Sequence, residues 1–260
     1  MKLYPQALFL ALSLAVFGAG CAVSVTPAPS AVGSSSGSAS STWTNVAPHV
    51  DKLSYQDTSG VQAVMYRVAA HALRWQFVAS STPRTVGEWS DALPQAVLVA
   101  NGVYFTPENA PAGFLSIHGQ RIGSQSFDLD KSALLSLSPE PQLVDTAHEH
   151  ASFASIQDGA QSYPLLVRDG ESIVSSTSTL AARRTFIGLD REQNVYVGVI
   201  PGSLVTLTQL SQLLVRTGID WQDVLNLDGG PSSGIEVRGP VGTDLLDSET
   251  NVPIVLVAQP

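Results

Sequence analysis

The chain has 260 residues, 44% of them hydrophobic and 13% charged, which is enough apolar material for a large domain with a sizeable core. A formal net charge of -9, with only 13 Lys and Arg, excludes a nucleic-acid-binding face and charge-driven binding to anionic membranes. The single cysteine excludes an internal disulfide.

The first 21 residues read as an export signal. Lys2 supplies a minimal basic start, and Ala7 to Phe17 is an apolar run too short to span a bilayer comfortably. Gly18-Ala19-Gly20-Cys21 resembles a bacterial lipobox, a signal in which the cysteine is lipidated and becomes the new amino terminus. Gly18 stands where that signal usually has Leu. The alternative is a plain secretory signal cut at a nearby small-residue site. Either reading exports the protein, and the first anchors it to an envelope membrane through Cys21. Residues 22 to 42 are mostly Ser, Ala, Gly, Pro and Val, without charge, and are expected to form a flexible tether. The folded domain is therefore expected over residues 43 to 260.

Val64 to Val68 and Trp75 to Val78 read as strands rich in β-branched and aromatic residues. Val86 to Leu93 suits a short helix with Trp89 on its buried side. Ala96 to Ala100 is a continuous apolar run, as expected of a strand covered on both faces. It ends in Asn101-Gly102-Val103-Tyr104-Phe105, where an amide, a glycine and two aromatics suit the wall of a sugar pocket. An Asn-Gly hairpin turn is the plainer alternative. Phe114 to Ile122 reads as a hairpin around His118-Gly119, and a further strand is expected within Phe127 to Leu137. His148-Glu149-His150 has no third ligand at a recognised spacing, so it reads as a solvated loop, with no metal.

Tyr163 to Val167 reads as a strand ending in an Asp169-Gly170 turn. Arg183-Arg184 precedes the apolar strand Thr185-Phe186-Ile187-Gly188, and in a chain so poor in arginine an anion clamp is a live alternative to a solvated edge. Val195 to Ile200 is another buried strand. Thr206-Leu207-Thr208-Gln209 matches a capping box; Leu207, Leu210 and Leu214 keep helical spacing, and Gly218 ends the helix. That helix leads to Val224-Leu225-Asn226-Leu227-Asp228. Alternation puts Leu225 and Leu227 on one face, with Asn226 and Asp228 on the other. Gly229-Gly230-Pro231-Ser232-Ser233 follows and brings backbone and hydroxyls close to any ligand. The plainer alternative is a turn capped by its own Asp. Val252 to Val257 reads as a terminal strand. Many strands and few helices predict an α+β domain built on a largely antiparallel or mixed sheet.

Three stations stand out: Asn101-Gly102-Val103-Tyr104-Phe105, Arg184-Thr185-Phe186-Ile187-Gly188, and Asn226-Leu227-Asp228-Gly229-Gly230-Pro231-Ser232-Ser233. In this order and spacing they resemble the phosphodiester glycosidase domain. Tyr163-Pro164 with Asp169-Gly170, and the helix entry from Gly202 to Leu214, add to the likeness, which runs from about Val61 to Val257. Val103 and Pro231 stand where the family often has Gly.

The resemblance implies a hydrolase without a cofactor that releases free sugar from a sugar-1-phosphodiester; the amino-terminal address adds envelope anchoring and, with it, envelope glycoconjugates as substrates. The resemblance also implies Asp228 on the sugar side as base, nucleophile or electrostatic stabiliser. Arg184, with Arg183 as a candidate helper, would sit against the phosphate, aided by N–H groups around Gly229, Gly230, Ser232 and Ser233. Asn101 and Asn226 would hold sugar hydroxyls, with Gly102, Tyr104 and Thr185 completing the pocket. The alternatives are a non-catalytic carbohydrate-binding lipoprotein and a metal-dependent phosphodiesterase.

Overall fold

Apolar runs broken by Gly, Pro and Asn give a fold dominated by strands in the computed structural model, which describes residues 42–123, 128, 130–149, 155–174 and 179–260. Cys21, most of the tether, Phe127 and His150 lie outside those residues. Every strand pairing among the described residues is antiparallel.

The expected α+β domain with largely antiparallel pairing and few helices holds, and its strands are divided among three sheets. The largest has eight strands. Its first three are β1 (Thr44–Ala47), β2 (Val50–Gln56) and β3 (Gln62–Val68). Beyond them, in spatial order, lie β14 (Val195–Val205), β13 (Ala182–Asp190), β15 (Trp221–Asn226), β11 (Leu165–Arg168) and β12 (Glu171–Ser172). A second sheet orders β17 (Gly242–Leu246), β16 (Ile235–Gly239), β5 (Leu98–Asn101), β18 (Val252–Gln259) and β4 (Arg74–Arg84). The third orders β7 (Gln120–Ile122), β6 (Leu115–Ile117), β10 (Gly159–Ser162), β8 (Ala133–Ser136) and β9 (Gln142–Asp145).

One apolar core fills the space between the large sheet and the other two, joining Tyr66, Ile187 and Leu225 to Leu98, Leu256 and Leu135. The outer faces of the large sheet and of the second sheet are each covered by one helix. Leucines 210, 213 and 214 of α2 (Leu207–Arg216) pack on Phe186, Trp221 and Val224 of the large sheet. Trp89 of α1 (Val86–Ala92) packs on Val99, Val255 and Val257 of the second sheet. Both helices start at a capping box, Thr85 with Glu88 and Thr206 with Gln209. No helix among the described residues is long and apolar enough to cross a membrane.

Candidate active site

The predicted alternation at the end of β15 holds: Leu225 and Leu227 both enter the central core. The strand starts earlier than predicted, at Trp221, and its ladder stops at Asn226. In the antiparallel ladder with β13, Phe186 stands opposite Asn226. Continuing that register, Arg184 falls level with Asp228.

Asn101 joins this edge to the second sheet. It is fully buried. Its Oδ1 accepts from the Thr185 hydroxyl at 2.7 Å and from the Gly234 N–H at 3.1 Å, while its Nδ2 donates to the Asp228 carbonyl at 2.8 Å. The Asp228 N–H in turn donates to the Gly102 carbonyl at 3.1 Å. The chain at Asp228 is thus fixed from both sides by the end of β5. In the ligand-free protein the polar atoms of Asn101 are engaged by Thr185 and by the backbone, and the Thr185 hydroxyl donates to Asn101. A buried polar group must be satisfied internally, and these two satisfy each other.

The Asp228 carboxylate accepts from the Gly229 N–H at 2.9 Å and is hydrogen-bonded by the Ser232 side chain. Desolvation nonetheless raises its pKa, partly offset by those two bonds. No second carboxylate is among the causes of the shift. The glycines after it have separate reasons. A Cβ on Gly229 would lie 2.9 Å from the Arg183 carbonyl oxygen, and Gly230 has φ +61°.

Arg184 is only 6% exposed. Its Nε donates to the Val205 carbonyl at 3.0 Å and its Nη2 to the Leu180 carbonyl at 2.8 Å. No carboxylate pairs with it among the described residues. Burial lowers its pKa, which leaves it still charged, because an arginine starts from so high a value. Tyr104 lies within electrostatic reach of both Arg184 and Asp228, and its phenol pKa is raised by burial and by Tyr163 and Asp228. Its hydroxyl accepts from Asn226 Nδ2 at 2.6 Å, and its ring stacks on Tyr163 with centroids 5.1 Å apart.

Arg183 pairs with Glu249 at 2.7 Å and donates to the Ser233 carbonyl at 2.7 Å, tying down the loop after Asp228, while its Nε is buried without a partner among the described residues. The N–H groups of Gly229, Ser232 and Ser233 are turned inward, to Asp228 Oδ1 and to the Gly229 and Gly230 carbonyls. Ser233 is fully buried with its hydroxyl unpartnered among the described residues. Asn226 is fully buried too, and its Nδ2 also donates to the Tyr163 carbonyl at 3.1 Å, leaving Oδ1 unpartnered among the described residues.

The structure also brings in Lys131, which sequence reasoning missed. Its Nζ sits 4.6 Å from the Tyr163 ring centroid and 3.2 Å from Asp128 Oδ2. No local signal marks it, because its placement depends on Gln161, which accepts from the Asp128 N–H and donates to the Lys131 carbonyl. His148 is bound through Nδ1 to Asp145 at 2.8 Å on the surface. A cavity of about 410 Å³ lined by His71, Trp75, His118 and Gln259 lies at the opposite end of β18 from Asn101 and contains none of these residues.

The sequence profile of the phosphodiester glycosidase family matches residues 94–258, which takes in β5, β13, β15 and every site residue above. The chain belongs to the phosphodiester glycosidase family. Two solved structures share the fold. One is the catalytic domain of zebrafish N-acetylglucosamine-1-phosphodiester alpha-N-acetylglucosaminidase, auto-inhibited by its pro-peptide. It has a TM-score of 0.60 and 14% identity, with 85% of this chain and 88% of that one covered. The other is a hypothetical protein from Synechocystis, with a TM-score of 0.59 and 13% identity over 85% of this chain and 64% of that one. No curated protein matches the sequence. In this family member Val103 is a core residue at 2% exposure, and Pro231 sits outside, its carbonyl accepting from the Glu249 N–H at 2.8 Å. Neither departure removes a polar group from the site.

Proposed function

We propose that this protein is an exported, lipid-anchored hydrolase that splits the bond between the anomeric carbon of a sugar and the oxygen of a phosphodiester. The observation that carries the reading is a buried guanidinium with no carboxylate partner among the described residues, and a desolvated carboxylate two residues past the end of the neighbouring strand. Glycosidic cleavage develops positive charge on the sugar and leaves negative charge on the departing oxygen. A phosphate ester is already stable as an anion, so charge stabilisation matters more than a strong general acid.

In this reading Arg184 holds the phosphate. Asp228, made more basic by desolvation, takes a proton from the attacking water while its charge steadies the sugar cation. The water oxygen bonds to the anomeric carbon, and the phosphate monoester leaves with the bridging oxygen and its electron pair. Tyr104 and Tyr163 form the sugar wall, and Ser232 orients Asp228. Asn101, Gly102, Thr185, Asn226, Gly229 and Gly230 position these groups. No resident cofactor is required.

The test is a panel of sugar-1-phosphodiesters, beginning with N-acetylglucosamine because a structural neighbour is named for it, assayed for free reducing sugar in ¹⁸O-labelled water. Release that puts the label in the sugar and collapses in Asp228→Asn supports the reading. Label in the phosphate, or full release by folded Asp228→Asn, overturns it.

A further inference from the structure

At the site end of the large sheet, strand order arranges chemistry in a line. Tyr163 precedes β11, Asp228 follows β15, Arg184 lies on β13, and Leu204 lies near the end of β14. Adjacent strands lie about 4.8 Å apart, so this row of four strands spans about 14 Å. On the reading above, the sugar stands at the tyrosines, the anomeric carbon at Asp228 and the phosphate at Arg184. Whatever alcohol forms the second ester of the phosphate then continues toward β14.

That end of the row is apolar. Ala182 pairs with Val205 and Arg184 with Ile200, so Pro201 to Leu204 bulge out of the ladder opposite Arg183. Leu204 on the bulge is 67% exposed and Leu180 is 69% exposed. The guanidinium donates to the carbonyl of Leu180 and to that of Val205, the residue after Leu204. A single exposed leucine means nothing, but Leu180 holds the guanidinium through its own carbonyl and Leu204 is next to the other residue that does. The charged and hydroxylated groups of the row lie toward β15 and β11.

We infer that the second ester alcohol of the substrate is apolar, an alkyl or other lipid-like alcohol seated on Leu180 and Leu204. This inference rests on the proposed glycosidase activity and names the substrate class within it. The probes are the octyl and glycerol phosphodiesters of N-acetylglucosamine-1-phosphate, with the octyl ester kept below its micelle-forming concentration. The wild-type protein should favour the octyl ester in kcat/KM by about tenfold. In the Leu180→Ser/Leu204→Ser double variant, checked for an unchanged melting curve, that ratio should fall toward one. Equal hydrolysis of both esters by the wild type, or a ratio untouched by the double variant, removes the inference and leaves the glycosidase standing. An octyl preference that arises only with added anionic vesicles assigns the leucines to membrane contact and likewise overturns it. No sugar release from either ester removes both readings.

Discussion

Replacing Asn101 by Ala tests whether one buried amide holds the active edge together. The substitution strands three groups: the Thr185 hydroxyl, the Gly234 N–H and the Asp228 carbonyl, now bonded at 2.7, 3.1 and 2.8 Å. Each orphaned buried group costs about 1–3 kcal/mol. A water entering the vacated space could satisfy two or three of them, so the expected loss is about 3 kcal/mol wet and about 6 kcal/mol dry. At a urea m-value of about 3 kcal/mol/M, the unfolding midpoint should fall by about 1–2 M. Because Asp228 hangs from this amide, kcat should also drop by about 100-fold, the usual result of misplacing a catalytic group by about 1 Å. The companion Asn101→Asp keeps the acceptor for Thr185 and Gly234 but sets an oxygen against the Asp228 carbonyl. Its introduced carboxyl is favoured in the neutral form, so this variant should gain stability as pH falls. A midpoint shift worth less than about 1 kcal/mol for Asn101→Ala would falsify the idea that this amide is the joint between the sheets.

Further predictions test neighbouring groups. Asp228→Asn should lower kcat by about 100-fold or more. Its effect on stability has the opposite sign: desolvation raises the native pKa of Asp228, so the wild type loses stability as pH rises from the unfolded carboxylate value toward the native one. The variant should therefore melt higher than wild type at pH 7, with the gap closing below about pH 4, as a melting series across pH would reveal. Arg184→Lys keeps the charge but loses the planar fork, and kcat/KM should fall by about 100-fold. Inorganic phosphate at 100 times its Kd should stabilise the wild type by about 2.7 kcal/mol, and much less in that variant; equal stabilisation would move the anion elsewhere. Gly188→Ala places a Cβ 2.7 Å from Trp221 Cζ3 and 3.0 Å from Val224 Cγ2, and should cost about 1–3 kcal/mol on denaturation with kcat unchanged in the folded fraction.

Elements whose signals are local were legible in the sequence. The Thr206–Gln209 capping box and leucine spacing placed α2, and alternation around Leu225 and Leu227 placed the edge that carries Asp228. Continuous apolar runs likewise marked β5 and β18. What was not legible depends on partners far along the chain. β2 carries Asp51 and Lys52, which interrupt alternation and are tolerated because Arg67 and Asp244 pair with them. Asn101 and Thr185 are 84 positions apart, so nothing local distinguishes a sugar-binding amide from one saturated by a hydroxyl in another sheet. Arg183 and Arg184 differ for the same reason. One reaches Glu249, and the other turns into the protein against backbone carbonyls.

That turn accounts for the site's electrostatics. Arg184 lies on β13 and Asp228 just past the end of the adjacent β15, and neither is among the groups that shift the other's pKa. A close ion pair between them would satisfy both charges and leave little field for a ligand, since paired charges largely cancel at a distance. Instead carbonyls hold the guanidinium, while an N–H and a hydroxyl hold the carboxylate. Each charge is hydrogen-bonded and neither is neutralised, an arrangement that costs desolvation free energy in the empty protein. A phosphodiester brings a negative charge that suits the guanidinium. Cleavage develops a positive charge one bond further on, beside the carboxylate. On the proposed reading the two unpaired charges serve a ligand whose own charges separate between them, which is why stability and activity should respond in opposite directions at Asp228.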